Sequence, residues 1–117
     1  MPREMDPGDA ASDVRTKELL DACKAAVRQV MPDADVVLFG SRARGTGALD
    51  SDYDLLVLCD VHVTPALRRR VRDTLYDTAL AHDAVVTALV YSRSRWNSPL
   101  WRASPLHERV EAEGVFV

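Results

Sequence analysis

The sequence predicts an α/β (α+β) chain with a small mixed β-sheet and flanking helices. Three observations carry that expectation. Two short apolar runs, Val36-Val37-Leu38-Phe39 and Leu55-Leu56-Val57-Leu58, have strand length. Two longer segments, about 13–31 and 65–82, repeat apolar residues every three or four positions, the period of an amphipathic helix. The connections differ in kind: about a dozen residues join the first strand to the second, and a whole helix joins the second to a third. A short return favours antiparallel pairing, whereas a helical crossover favours parallel pairing.

Residues 1–12 hold Pro, Gly, Asp and Ser with little to bury, and are expected to form a flexible N-terminus ahead of a domain spanning 13–117. Ser12 or Asp13 caps the first helix, whose inner face carries Leu19, Leu20, Cys23, Val27 and Met31, and Pro32-Asp33 ends it. Strands follow at 35–39 and 54–59. Thr64-Pro65, a cap residue before proline at the first helical position, opens a helix with Leu67, Val71, Leu75 and Ala79 inward and the arginines at 68, 69, 70 and 72 on a solvated face. A third strand is expected at 84–91. Ser104-Pro105 starts a last helix that Gly114 closes, and Val115-Phe116-Val117 forms a short edge strand or a docked tail. This topology gathers Gly40, Ser41, Asp52, Asp54 and the start of the third strand at one edge of the sheet.

The chain has 117 residues, enough for one domain with a modest core. Its formal charge of −3 argues against broad attraction to nucleic acid or to an anionic membrane. No apolar run reaches the roughly 18 residues of a membrane span, and the first residues lack a hydrophobic leader, so a soluble cytoplasmic protein is expected. Cys23 and Cys59 sit in apolar stretches and read as buried thiols, not as a disulfide framework or a zinc site. His62, His82 and His107 lack metal-ligand spacing and read as surface or boundary residues.

Residues 40–54, Gly-Ser-Arg-Ala-Arg-Gly-Thr-Gly-Ala-Leu-Asp-Ser-Asp-Tyr-Asp, carry the chemistry. Gly40 permits a sharp turn and a close approach to a ligand. Ser41 can cap the segment behind it, and Arg42 and Arg44 can neutralise phosphate charge. Asp52 and Asp54, two apart at the start of a strand, point to one face. Side by side their charges repel, and a hard cation such as Mg²⁺ relieves this while also favouring phosphate oxygens. Two such ions about 3.5–4 Å apart can clamp both oxygens of a phosphoryl displacement. A P-loop is excluded, because Thr46-Gly47 stands where Lys-Ser or Lys-Thr is required. Asp83, just before the third strand, is the candidate third metal ligand or general base. Thr87 lies on the same face farther along, and a register that placed Thr87 at the site would leave it short of a carboxylate.

Gly40-Ser41, ten intervening residues and Asp52-x-Asp54 resemble the signature of the DNA polymerase β-like nucleotidyltransferases. Leu-Phe-Gly-Ser-Arg-Ala-Arg-Gly and Asp-Ser-Asp-Tyr-Asp-Leu-Leu-Val, with the short length, are similar to its minimal branch. The resemblance implies the polymerase β-like fold, binding of ATP with Mg²⁺ (two ions expected), and transfer of AMP to a hydroxyl with release of pyrophosphate. It implies an antitoxin role beside a toxin of the HEPN class, with adenylylation of a toxin tyrosine; on the charge balance, no direct contact with nucleic acid or membrane is expected. By position it gives Gly40 and Ser41 to the triphosphate and Asp52 and Asp54 to the metal. The third strand departs from the pattern: its apolar run, Val85-Val86-Thr87-Ala88-Leu89, holds no acid. A weak or inactive antitoxin that neutralises by contact is therefore the alternative expectation.

Overall fold

The structure, a computed structural model, describes residues 1–6, 8–9, 13–45 and 52–117. The alternative cap Ser12 and the turn residues Thr46, Gly47, Asp50 and Ser51 lie outside the described residues.

Eleven elements run along the described chain: β1 (Arg3–Glu4), α1 (Val14–Val30), β2 (Asp35–Phe39), α2 (Ser41–Arg44), β3 (Tyr53–Cys59), α3 (Pro65–Ala81), β4 (Val86–Ser92), α4 (Arg93–Trp96), α5 (Pro99–Arg102), α6 (Pro105–Glu113) and β5 (Val115–Phe116). Side-chain caps set four of the helix starts: Asp13 accepts from the Thr16 amide at 3.2 Å, Thr64 from Leu67 at 3.1 Å, Ser92 from Arg95 at 3.2 Å and Ser104 from His107 at 3.1 Å.

The sheet order is β1-β5-β2-β3-β4. β2 and β3 pair antiparallel, β3 and β4 pair parallel through α3, and the mixed sheet is the expected one. β5 is not an edge strand: it lies antiparallel to β2 on one side and parallel to β1 on the other. Two residues of the N-terminus expected to fray, Arg3 and Glu4, thus form the outermost strand. Arg3 also makes a bidentate ion pair with Asp9, each bond 2.7 Å.

Side-chain alternation divides the core between the two sheet faces. On one face Val36, Leu38, Leu55, Val57, Ala88 and Val90 meet α1 and α3 through Leu20, Cys23, Val27, Val71 and Leu75, all buried. On the other, Val37, Phe39, Leu56 and Leu58 are covered by Trp96 of α4 and Val110 of α6. Both cysteines are free and buried, and burial pushes the Cys23 thiol up to about 11. His107 corrects a surface expectation: it is 7% exposed and its ring stacks on Trp96 at 4.7 Å.

The arginine run on α3 is also more than a solvated face. β4 ends the sheet, and a bare edge exposes unpaired carbonyls. Arg72 Nε donates to Ala88 O at 3.0 Å and Arg68 Nη2 to Val90 O at 3.1 Å. Two long cationic side chains thereby occupy that edge.

At the end of the sheet remote from residue 40, Arg93 joins β2, β3 and α4. Its guanidinium meets Asp60 at 2.8 Å, Asp35 at 2.9 Å and the Asp33 carbonyl at 2.9 Å. Arg93→Ala leaves these carboxylates facing one another without their shared cation. It should lower unfolding free energy by about 1–3 kcal/mol in urea denaturation, while Arg93→Lys, lacking the planar fork, recovers only part. Equal stability of Arg93→Ala and wild type would show the network to be idle surface pairing. Among the described residues, no helix is long and apolar enough to cross a membrane.

Candidate active site

Register brings the two halves of the motif together. Phe39, the last residue of β2, pairs with Asp54 of β3, so Gly40 leaves the sheet beside that carboxylate. Gly40 has φ +76° and ψ −160°, a conformation open in practice only to glycine. A Cβ built there would overlap Asp54 Oδ2 and lie 3.2 Å from its Cγ. The Asp54 carboxylate therefore rests against the Gly40 backbone, and a single turn carries the chain from it into Ser41 and α2.

Asp54 is partly buried, and Asp52 is exposed just ahead of β3. Burial raises the proton affinity of Asp54, and the neighbouring Asp52 charge raises it further; Arg109 and Arg44 oppose both. Hard oxygen donors side by side, one held against backbone and one open to solvent, suit a divalent cation.

The two arginines of α2 diverge. The Arg42 guanidinium lies over the Tyr53 ring, 4.4 Å from its centroid, and its charge acts on Asp13. Arg44 Nη1 donates to Glu113 Oε2 of α6 at 2.8 Å, on the Asp54 side. Arg109 and Glu113 are four apart on α6 and so share a face of that helix. Neither was among the residues expected from sequence; nothing local marks them, and only the return of α6 to the β2–β3 edge brings them in.

Asp83, expected as the third ligand or base, is placed elsewhere. It has φ +54° in the turn that ends α3, and β4 begins only at Val86. It lines a cavity of about 550 Å³ with Asp13, Thr16, Arg42, Tyr53 and Val85, on the α1 side of the sheet. The residue directly beside Asp54 on β4 is Thr87, exposed and on the same face. Among the described residues, no group of three or more His, Cys, Asp or Glu is arranged to hold a metal.

Residues 17–92 match the sequence profile of the nucleotidyltransferase domain family, about two thirds of the chain. A comparison with curated proteins finds no match. Among solved structures, the chain is similar to one in a toxin–antitoxin crystal structure with AMP-PNP, at 25% identity and a TM-score of 0.58, covering 80% of this chain and 68% of that one. It is also similar to the Cid1 poly(U) polymerase with MgGTP bound, at 30% identity and a TM-score of 0.43, over 57% of this chain and 20% of that one.

Proposed function

The chain belongs to the nucleotidyltransferase domain family, and on that premise we propose that it moves AMP from ATP to a hydroxyl of a toxin partner, acting as an antitoxin. The acceptor in this reading is a tyrosine of a HEPN-class toxin. The likeness to a chain in a toxin–antitoxin structure supports a toxin partner. The observation that carries the chemistry is the Asp54 carboxylate seated against Gly40, because it makes the Gly-Ser turn and the Asp-x-Asp pair one site.

Asp52 and Asp54 hold Mg²⁺ in this reading, and the cation supplies charge neutralisation at the phosphates and at the leaving pyrophosphate. Ser41 and the turn at Gly40 receive the triphosphate. Gly40 contributes by having no side chain, which leaves the backbone open to close approach. Arg109, whose charge reaches Asp54 from α6, and Arg44 add cationic character on the same side. The acceptor oxygen bonds to the α-phosphorus as the bond to the β-phosphate oxygen breaks, pyrophosphate leaves and the hydroxyl proton is released.

Thr87 beside Asp54 favours a second reading, an antitoxin that neutralises by contact. Intact-mass spectrometry of the co-expressed toxin after incubation with the chain and MgATP separates the two. One added AMP per modified hydroxyl, mapped to a tyrosine, is the expected result. Neutralisation with no mass added would replace the enzyme reading with the contact reading.

A further inference from the structure

We infer that the site holds one divalent cation, not two, and that Thr87 sets this limit. The inference rests on the nucleotidyl-transfer reading above and narrows it. In the ladder Asp54 stands between Phe39 and Thr87. Residues paired directly across strands project to the same face, so the flanks of Asp54 are an aromatic ring and a neutral hydroxyl. Among the described residues, the carboxylate that acts on it is Asp52, from the approach to its own strand.

The α6 side of Asp54 is already positive. Arg44 is fixed there by its 2.8 Å bond to Glu113, and Arg109 shares the face of α6 that Glu113 presents. Asp83 precedes Thr87 by four residues, lies in the turn before β4 begins, and lines the cavity on the α1 side. Two divalent ions about 3.5–4 Å apart repel strongly and need anionic ligands on both sides. Asp52, Asp54 and the phosphates of a nucleotide satisfy that need for one ion. A second would lie toward β4, where the residue beside Asp54 is Thr87, which offers no charge. The cation accompanying the triphosphate is then the whole metal complement.

Equilibrium dialysis with Mn²⁺ in place of Mg²⁺, in the presence of AMP-PNP, counts bound ions without relying on turnover. Wild type should bind one Mn²⁺ per chain. Thr87→Asp adds a carboxylate at an exposed position and should bind two; without nucleotide its first Mn²⁺ should bind at least tenfold more tightly than to wild type, and Mn²⁺ should raise its melting temperature more. Thr87→Asn, similar in size and uncharged, should stay at one. Two ions on wild type would overturn the inference and leave the nucleotidyl-transfer reading standing. A Thr87→Asp chain that melts cooperatively yet stays at one ion would remove Thr87 as the limiting residue. Wild type that binds neither Mn²⁺ nor AMP-PNP would defeat the underlying reading, and the inference with it.

Discussion

Asp54→Asn should cut AMP transfer by about three orders of magnitude or more, the scale of losing several kcal/mol of charge stabilisation at the reacting phosphates. The same substitution should leave the chain at least as stable as wild type. Asp54 is held partly buried beside Asp52, and its carboxyl has a raised proton affinity in the folded state. Below the unfolded pKa of about 3.9 both states are protonated and the crowding costs nothing. As pH rises through the folded pKa the charged form is imposed on an unfavourable site, and the cost is complete above it. Asparagine fills the same space without the charge. Its advantage in melting temperature should thus be largest near neutral pH and shrink toward pH 4. Mg²⁺ with ATP should raise the melting temperature of wild type and not of the variant. Wild-type labelling of the toxin by Asp54→Asn would remove this residue from the reaction. A variant clearly less stable than wild type at neutral pH would show that Asp54 is a structural group.

What was legible in the sequence were the parts governed by local rules. Short unbroken apolar runs place β2 and β3, Thr64-Pro65 fixes the start of α3, and loop length alone gives the antiparallel return of β3 along β2. The register of β4 against β3 was not legible, because it depends on how α3 closes. Ala84 N–H bonds to Ala79 O at 2.9 Å, which keeps residues 82–84 in a turn with Asp83 at positive φ and delays the strand to Val86. That small delay decides that Thr87 and not Asp83 is the neighbour of Asp54. Arg109 and Glu113 were hidden for a different reason. They belong to a helix that returns after long separation, and their i, i+4 spacing equally describes an idle surface pair. Arg68 and Arg72 read as solvated cations until β4 is known to be an edge. His107 carried no sign of burial, since only the packing of Trp96 over that sheet face encloses it.

Gly40→Ala should be severely damaging, for two separable reasons. At φ +76° and ψ −160° a side chain imposes backbone strain of about 1–3 kcal/mol. The added Cβ would also overlap Asp54 Oδ2, so the carboxylate must swing away or β2 and β3 must part. Together these should lower unfolding free energy by about 2–4 kcal/mol in urea denaturation and abolish binding of MgATP in calorimetry. A double-mutant cycle apportions the cost. If the carboxylate overlap matters, Gly40→Ala should cost less by about 1 kcal/mol or more when Asp54 is already alanine, because coupled neighbours are non-additive. If strain alone matters, the two backgrounds should give the same loss. Wild-type stability and nucleotide affinity in Gly40→Ala would contradict both, and would mean that the turn and the carboxylate do not lie against each other. The cycle therefore tests the contact on which the candidate site is built, and it does so without reference to any acceptor.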